Sequence, residues 1–74
     1  MHNVIINREP VELYKVLKFE GLVGTGGEAK MAVSEGLVLV NGEPEMRKRC
    51  KLKAGDVIEF DNQSYRLVYD AEVL

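Results

Sequence analysis

The sequence predicts an α+β fold in which two short helices pack on a small, mainly antiparallel sheet. Two stretches of helical spacing, each closed by a glycine (Gly21 and Gly36), come first. Branched and aromatic runs separated by polar turn pairs then fill the second half of the chain. Helices followed by strands, rather than the two in alternation, read as α+β. At 74 residues the chain is expected to be one domain, of a size where a single core gives only marginal stability.

Val4-Ile5-Ile6 is a short apolar run, read as an edge strand. Asn7-Arg8-Glu9-Pro10 ends it, and Pro10 fits the first turn of a helix, where a missing N–H costs nothing. From Val11 to Glu20 the pattern is helical: Leu13, Tyr14, Val16 and Leu17 share the apolar side, while Glu12, Lys15 and Lys18 lie toward solvent. Gly21 is a good residue for the position after the helix, and Leu22-Val23 can fold back onto the core. Thr25 and Glu28 form a capping box that opens the second helix and satisfies two backbone donors reciprocally. Ala29, Ala32 and Val33 make a narrow stripe of small residues suited to close packing on the first helix, and Gly36 ends this helix as Gly21 ends the other.

Leu37 to Val40 reads as a strand, turned by Asn41-Gly42, a pair suited to the positive φ angles of a type I′ hairpin. Glu43 to Met46 is the return strand, kept short or at an edge by Pro44. A basic loop follows, then a turn at Lys53-Ala54-Gly55-Asp56 and a strand from Val57 to Phe60. Asp61 to Ser64 is a polar turn, and the last strand runs from Tyr65 to Tyr69, with Tyr65, Leu67 and Tyr69 on one face. Asp70 to Leu74 reads as a short tail.

Charge is distributed unevenly. The chain has ten Lys and Arg against twelve Asp and Glu, yet five of the seven residues from Arg47 to Lys53 are cationic. Such a segment offers Arg47, Lys48, Arg49, Lys51 and Lys53 to phosphates, giving affinity that weakens with salt and is largely independent of base sequence. The competing reading is a solvated loop balanced by Glu43, Glu45 and Glu59.

Catalysis finds little footing. The one histidine, His2, falls in a terminus read as frayed, and no metal-ligand spacing, nucleophile–base pair, P-loop or dinucleotide fingerprint is visible. No enzyme activity, cofactor or metal is expected. Cys50, the single cysteine, excludes an intramolecular disulfide; its thiol is either activated by the flanking Arg49 and Lys51 or turned inward and inert. Residues 1–10 lack a signal pattern, and no run approaches the roughly 20 apolar residues of a membrane span. A soluble cytoplasmic chain with no membrane association is expected.

Four pieces, in order, carry a family resemblance: Thr25-Gly26-Gly27-Glu28-Ala29-Lys30, Ser34-Glu35-Gly36, Val38-Leu39-Val40-Asn41-Gly42 and Lys53-Ala54-Gly55-Asp56-Val57-Ile58. Together they resemble the S4 RNA-binding domain, and within it the small bacterial proteins made up of that domain alone. The resemblance covers about residues 11–60 of a single domain spanning 1–74. It implies an αL motif whose RNA-facing surface combines the second helix with the loop region around the hairpin. By position, Thr25, Lys30, Asn41 and the loop from Arg47 to Lys51 fall on that surface. Where many S4 domains carry arginines at the start of the second helix, this chain has Gly26 and Gly27, and only Lys30 remains of the basic run.

The glycine pair admits two readings: backbone N–H groups left open at the positive end of the helix dipole to seat a phosphate, or a tight turn packed against a neighbouring strand. Lys30 lies one turn after Gly26 and extends the basic patch if the loop folds beside it; Lys15 and Lys18 are a further extension. Asn41 reads mainly as a turn residue, Glu28 as a cap, and the tyrosines as packing residues.

The function expected is non-catalytic binding of structured RNA, rRNA or tRNA, by a monomer near ribosomes, through the basic loop and the start of helix two. A protein adaptor using the loop to meet an acidic partner is the alternative. A β-grasp sulfur carrier is a weaker one, since its chemistry needs a C-terminal Gly-Gly and this sequence ends Asp70-Ala71-Glu72-Val73-Leu74.

Overall fold

The computed structural model describes residues 1–70. The chain opens with β1 (His2–Ile6), whose alternation buries Val4 and Ile6 and leaves Ile5 outside. β2 (Val11–Glu12), α1 (Leu13–Phe19) and α2 (Gly26–Ser34) follow. The remaining strands are β3 (Leu39–Val40), β4 (Glu43–Pro44), β5 (Lys51–Leu52), β6 (Val57–Phe60) and β7 (Gln63–Tyr69). Five strands form one sheet in the order β1-β7-β6-β3-β4, and β2 with β5 forms a separate two-stranded ladder. The expected α+β class is what the structure has.

The first helix starts later than its apolar pattern suggests. Pro10 follows a cis peptide bond with Glu9 and lies before the helix, not in its first turn. Val11 and Glu12 are extended because they pair antiparallel with Leu52 and Lys51. Both helices then close as the glycines predict. At α1, Leu22 N–H reaches the Leu17 carbonyl at 3.0 Å and Gly21 N–H the Lys18 carbonyl at 3.1 Å. At α2, Leu37 N–H reaches Ala32 at 3.1 Å and Gly36 N–H reaches Val33 at 3.0 Å. Each double closure needs a left-handed residue, and Gly21 and Gly36 supply φ of 71° and 76°.

The hairpin turns where Asn41-Gly42 places it, with φ of 52° and 88° and Val40 paired to Glu43. Its strands are shorter than expected: Leu37 is exposed, Val38 points into the core, and only Leu39 and Val40 pair on both sides. Pro44 sits in the outermost strand, where its missing N–H breaks no ladder. The second hairpin is tighter than the polar run from Asp61 to Ser64 suggests. Asp61 and Asn62 alone turn it, both at positive φ (52° and 62°), so β7 already starts at Gln63.

β1 lies at the sheet edge as expected, but pairs parallel with β7, Val4 opposite Leu67. His2 is therefore held in a strand and is not frayed: its ring stacks on Tyr65 at 5.3 Å and its Nε2 lies 3.1 Å from Gln63 Oε1. On β7, Leu67 is buried and Tyr65 packs against the core, while Tyr69 is exposed. Of the tail expected over 70–74, Asp70 donates its N–H to the Ile6 carbonyl at 2.9 Å, and 71–74 lie outside the described residues.

One apolar cluster joins these parts: Leu13, Val16 and Leu17 of α1, the Ala29-Ala32-Val33 stripe of α2, and Val4, Val38, Leu52, Ile58 and Leu67 from the strand side. Each large aliphatic side chain buried there contributes roughly 1.5–3 kcal/mol. No described helix is long and apolar enough to cross a membrane.

Candidate nucleic-acid interface

The basic segment is a fastened turn, not a free loop. Its far end, Lys51-Leu52, is the strand that pairs with β2, and Leu52 belongs to the core. Its near end closes through Cys50 N–H to the Arg47 carbonyl at 3.0 Å, leaving Lys48 and Arg49 at the tip. The first amides of a helix have no partner within the helix. Here the segment provides them: Leu13 N–H donates to the Cys50 carbonyl at 2.9 Å and Tyr14 N–H to the Lys48 carbonyl at 3.1 Å. The turn beyond is held by carboxylates, Lys53 N–H to Asp56 Oδ2 at 2.8 Å and Ala54 N–H to Glu9 Oε2 at 2.7 Å.

The five cations are not equivalent. Arg47 is gripped by Glu45, Nε to Oε2 at 3.0 Å and Nη2 to Oε1 at 3.1 Å, while its backbone N–H donates to the same Oε2 at 3.0 Å. These bonds hold the Glu45 carboxyl down at about 2. Arg49 Nη1 lies 4.0 Å from Glu12 Oε2, and Glu12 Oε1 pairs with Lys15 at 3.0 Å. The Lys15 hydrogen bond, with Arg49 and Lys51 nearby, lowers the Glu12 carboxyl. Lys48, Lys51 and Lys53 are exposed and make no ion pair among the described residues. The Cys50 thiol is pushed up by burial and by Glu45, so the inert reading fits its surroundings better than the activated one.

Tyr14 is the residue that the sequence reading did not place in the site. Its ring has the Lys30 Nζ 5.0 Å, the Arg49 Cζ 5.9 Å and the Lys15 Nζ 6.0 Å from its centroid. A cation over an aromatic face is attracted by the ring quadrupole. The one available signal was a tyrosine at the border between the apolar and charged sides of the helix, a place that suits its apolar body and polar tip.

The start of α2 keeps half of its expected capping box. Thr25 Oγ1 accepts the Glu28 N–H at 3.1 Å, but the Glu28 carboxylate takes the N–H of Gly24 at 3.2 Å, one residue earlier than the reciprocal bond requires. The N–H groups of Gly26 and Gly27 have no partner among the described residues. Among the described residues, no strand atom lies where a methyl on either glycine would project. A methyl at Gly26 would come 4.0 Å from Lys18 Cδ, and one at Gly27 would come 3.8 Å from Thr25 Oγ1.

Asn41 has a structural occupation. Its Oδ1 accepts the Val57 N–H at 2.9 Å and its Nδ2 donates to Asp56 Oδ1 at 3.1 Å. Among the described residues, no group of three or more His, Cys, Asp or Glu side chains is arranged to hold a metal ion.

The model of the S4 domain matches residues 4–68, from the first strand into the last and beyond the 11–60 stretch that carries the resemblance. The chain belongs to the S4 domain family. YbcJ of Escherichia coli (strain K12) is 47% identical to it over 58 residues, 78% of this chain and 83% of YbcJ. RlbA of Bacillus subtilis (strain 168), named as a probable ribosome maturation protein, is 41% identical over 58 residues, 78% of this chain and 82% of RlbA. The solution structure of E. coli YbcJ, described as revealing an αL motif involved in RNA binding, aligns with a TM-score of 0.70 at 40% identity, covering 92% of this chain and 87% of that one. The crystal structure of 30S ribosomal protein S4e from Thermoplasma acidophilum aligns with a TM-score of 0.71 at 31% identity, over 85% of this chain and 33% of that one.

Within this S4 domain, Lys30 and Arg49 meet at Tyr14, with Thr25, Gly26 and Gly27 one helical turn before Lys30. Lys18 runs beside Gly26. Asn41 and Lys53 instead converge on Asp56, Asn41 through its amide and Lys53 through its backbone N–H.

Proposed function

We propose that this S4 domain is a non-catalytic RNA-binding module that contacts structured rRNA or tRNA mainly through phosphates. The observation that carries the reading is the convergence of cations from three segments, α1, α2 and the Arg47–Cys50 turn, on one small area. A chain with an overall charge of −2 places them together, against mutual repulsion. Lys48, Arg49, Lys51 and Lys30 are the leading phosphate contacts, Lys53 and Arg47 lie on either flank, and the open amides of Gly26 and Gly27 offer a further seat. The described αL motif of YbcJ and the ribosomal origin of S4e support RNA as the ligand. The name of RlbA supports a ribosomal RNA or an assembly intermediate. Folded RNA is then recognised by shape and backbone.

An amide-shift titration with a structured RNA hairpin, repeated across salt, tests this. Shifts should cluster at residues 26–30 and 47–51. Four phosphate contacts imply that affinity falls on the order of a hundredfold between ~50 and ~200 mM salt. Silence at low salt with several RNAs would sink the reading and turn attention to an acidic protein partner.

A further inference from the structure

Tyr14 fastens the basic turn and also underlies it. Its N–H holds the Lys48 carbonyl at 3.1 Å, and its half-buried ring lies 5.9 Å from the guanidinium of Arg49, the residue that follows. α2 brings Lys30 to the same ring, its ammonium 5.0 Å from the centroid. The balance of charge around the ring is unequal. Lys15 is neutralised by Glu12 at 3.0 Å, and Arg49 reaches the same carboxylate only at 4.0 Å. Lys30 has no carboxylate partner among the described residues; its ammonium lies instead against the Tyr14 ring.

We infer that Tyr14 is the positioning residue of a single phosphate site, its ring holding Lys30 and Arg49 side by side so that one RNA backbone phosphate bridges them. This rests on the RNA-binding reading and gives it a centre. Two cations brought to one ring repel each other, and the ring's negative face offsets part of that repulsion in the free protein. An anion between them removes the rest. An aliphatic side chain would fill the same space but leave both cations free to swing apart into water. Aromatic character at position 14, rather than bulk, is therefore what the site requires. Lys15, already paired to Glu12, acts as a bystander.

The test is fluorescence anisotropy with one RNA hairpin at several salt concentrations, on the wild-type chain, Tyr14→Phe, Tyr14→Leu, Lys30→Gln and the double variant Tyr14→Leu/Lys30→Gln. Thermal melts confirm that each is folded. Tyr14→Phe should bind within about twofold of wild type, and Tyr14→Leu about three- to tenfold more weakly. The slope of log affinity against log salt should shrink by about one contact in Tyr14→Leu, an effect that loosened packing alone would not produce. In the Lys30→Gln background, where only Arg49 is left for the ring to hold, the further change to leucine should cost less than it does in wild type. If wild type binds and Tyr14→Leu matches it in affinity and slope, the positioning role is overturned while RNA binding stands. If wild type fails to bind any RNA tried, the proposed function falls, and the ligand assigned to this site falls with it.

Discussion

Glu45 holds Arg47 by both arms of its guanidinium and by its backbone N–H, so the first cation of the basic segment is engaged before any ligand arrives. The pairing joins residues only two apart and closes the entry to the turn. It also draws the Glu45 carboxyl down from an ordinary 4.5 to about 2.

That depression fixes a pH window. A carboxyl with a lower pKa in the folded chain than in the unfolded one contributes stability that is complete above the unfolded value and lost as pH falls toward the folded one. For Glu45 the loss runs from about 4.5 down to about 2. Urea midpoints measured across that window should drop for wild type. The Glu45→Gln variant lacks this component but keeps the one from Glu12, so the gap between the two should close by the acid end. The same variant releases Arg47, and its RNA affinity at neutral pH should rise by about threefold, with a steeper salt slope.

The two glycines of α2 are not there for want of space, since both sites admit a methyl at ordinary contact distance and neither has a positive φ. Replacing both by alanine should stabilise the fold by about 0.4–1 kcal/mol each, chiefly by restricting the unfolded chain. If a phosphate reaches their amides only because no side chain stands in the way, RNA affinity should fall even as the melting temperature rises. Unchanged affinity in a stabilised variant would remove the pair from the interface.

Asn41→Ala should act in the opposite sense. It removes the acceptor for Val57 N–H and the donor to Asp56, at a residue with φ of 52°. The expected cost is about 2–3 kcal/mol. The surviving folded fraction should bind RNA as wild type does, which anisotropy below the unfolding transition would show. A weakened folded fraction would instead place Asn41 at the RNA.

The Cys50 thiol, raised by burial and by Glu45, should react slowly with a disulfide reagent at neutral pH, more slowly than a free peptide thiol. Timing the reaction in native buffer and in denaturant separates burial from intrinsic reactivity. Equal rates would show that the thiol is neither shielded nor suppressed.

What the sequence made legible was whatever short-range chemistry determines. Gly21 and Gly36 mark both helix ends because only a left-handed residue completes that closure, and Asn41-Gly42 marks the hairpin for the same kind of reason. The cationic turn was visible from composition alone. The rest depends on partners distant in the chain. Nothing local to Val11-Glu12 distinguishes a helix start from a strand until Leu52 and Lys51 arrive beside them. The run from Val4 to Ile6 suggests a strand but not that its partner is parallel and lies some sixty residues on. Tyr14 reads as a packing residue, which is half of its work; the other half depends on Arg49 and Lys30, distant in the chain, both coming to its ring.

The two hydrogen bonds from the start of α1 to the carbonyls of Lys48 and Cys50 bear on the thermodynamics of recognition. A mobile basic loop loses conformational entropy when it settles on a ligand, and that loss is subtracted from affinity. Here the segment is ordered when the domain folds, so the loss belongs to folding and little is left for the encounter. Anything that frays the first turn of α1 would return that freedom to the loop. Heat or a core substitution should therefore weaken binding before the domain as a whole unfolds.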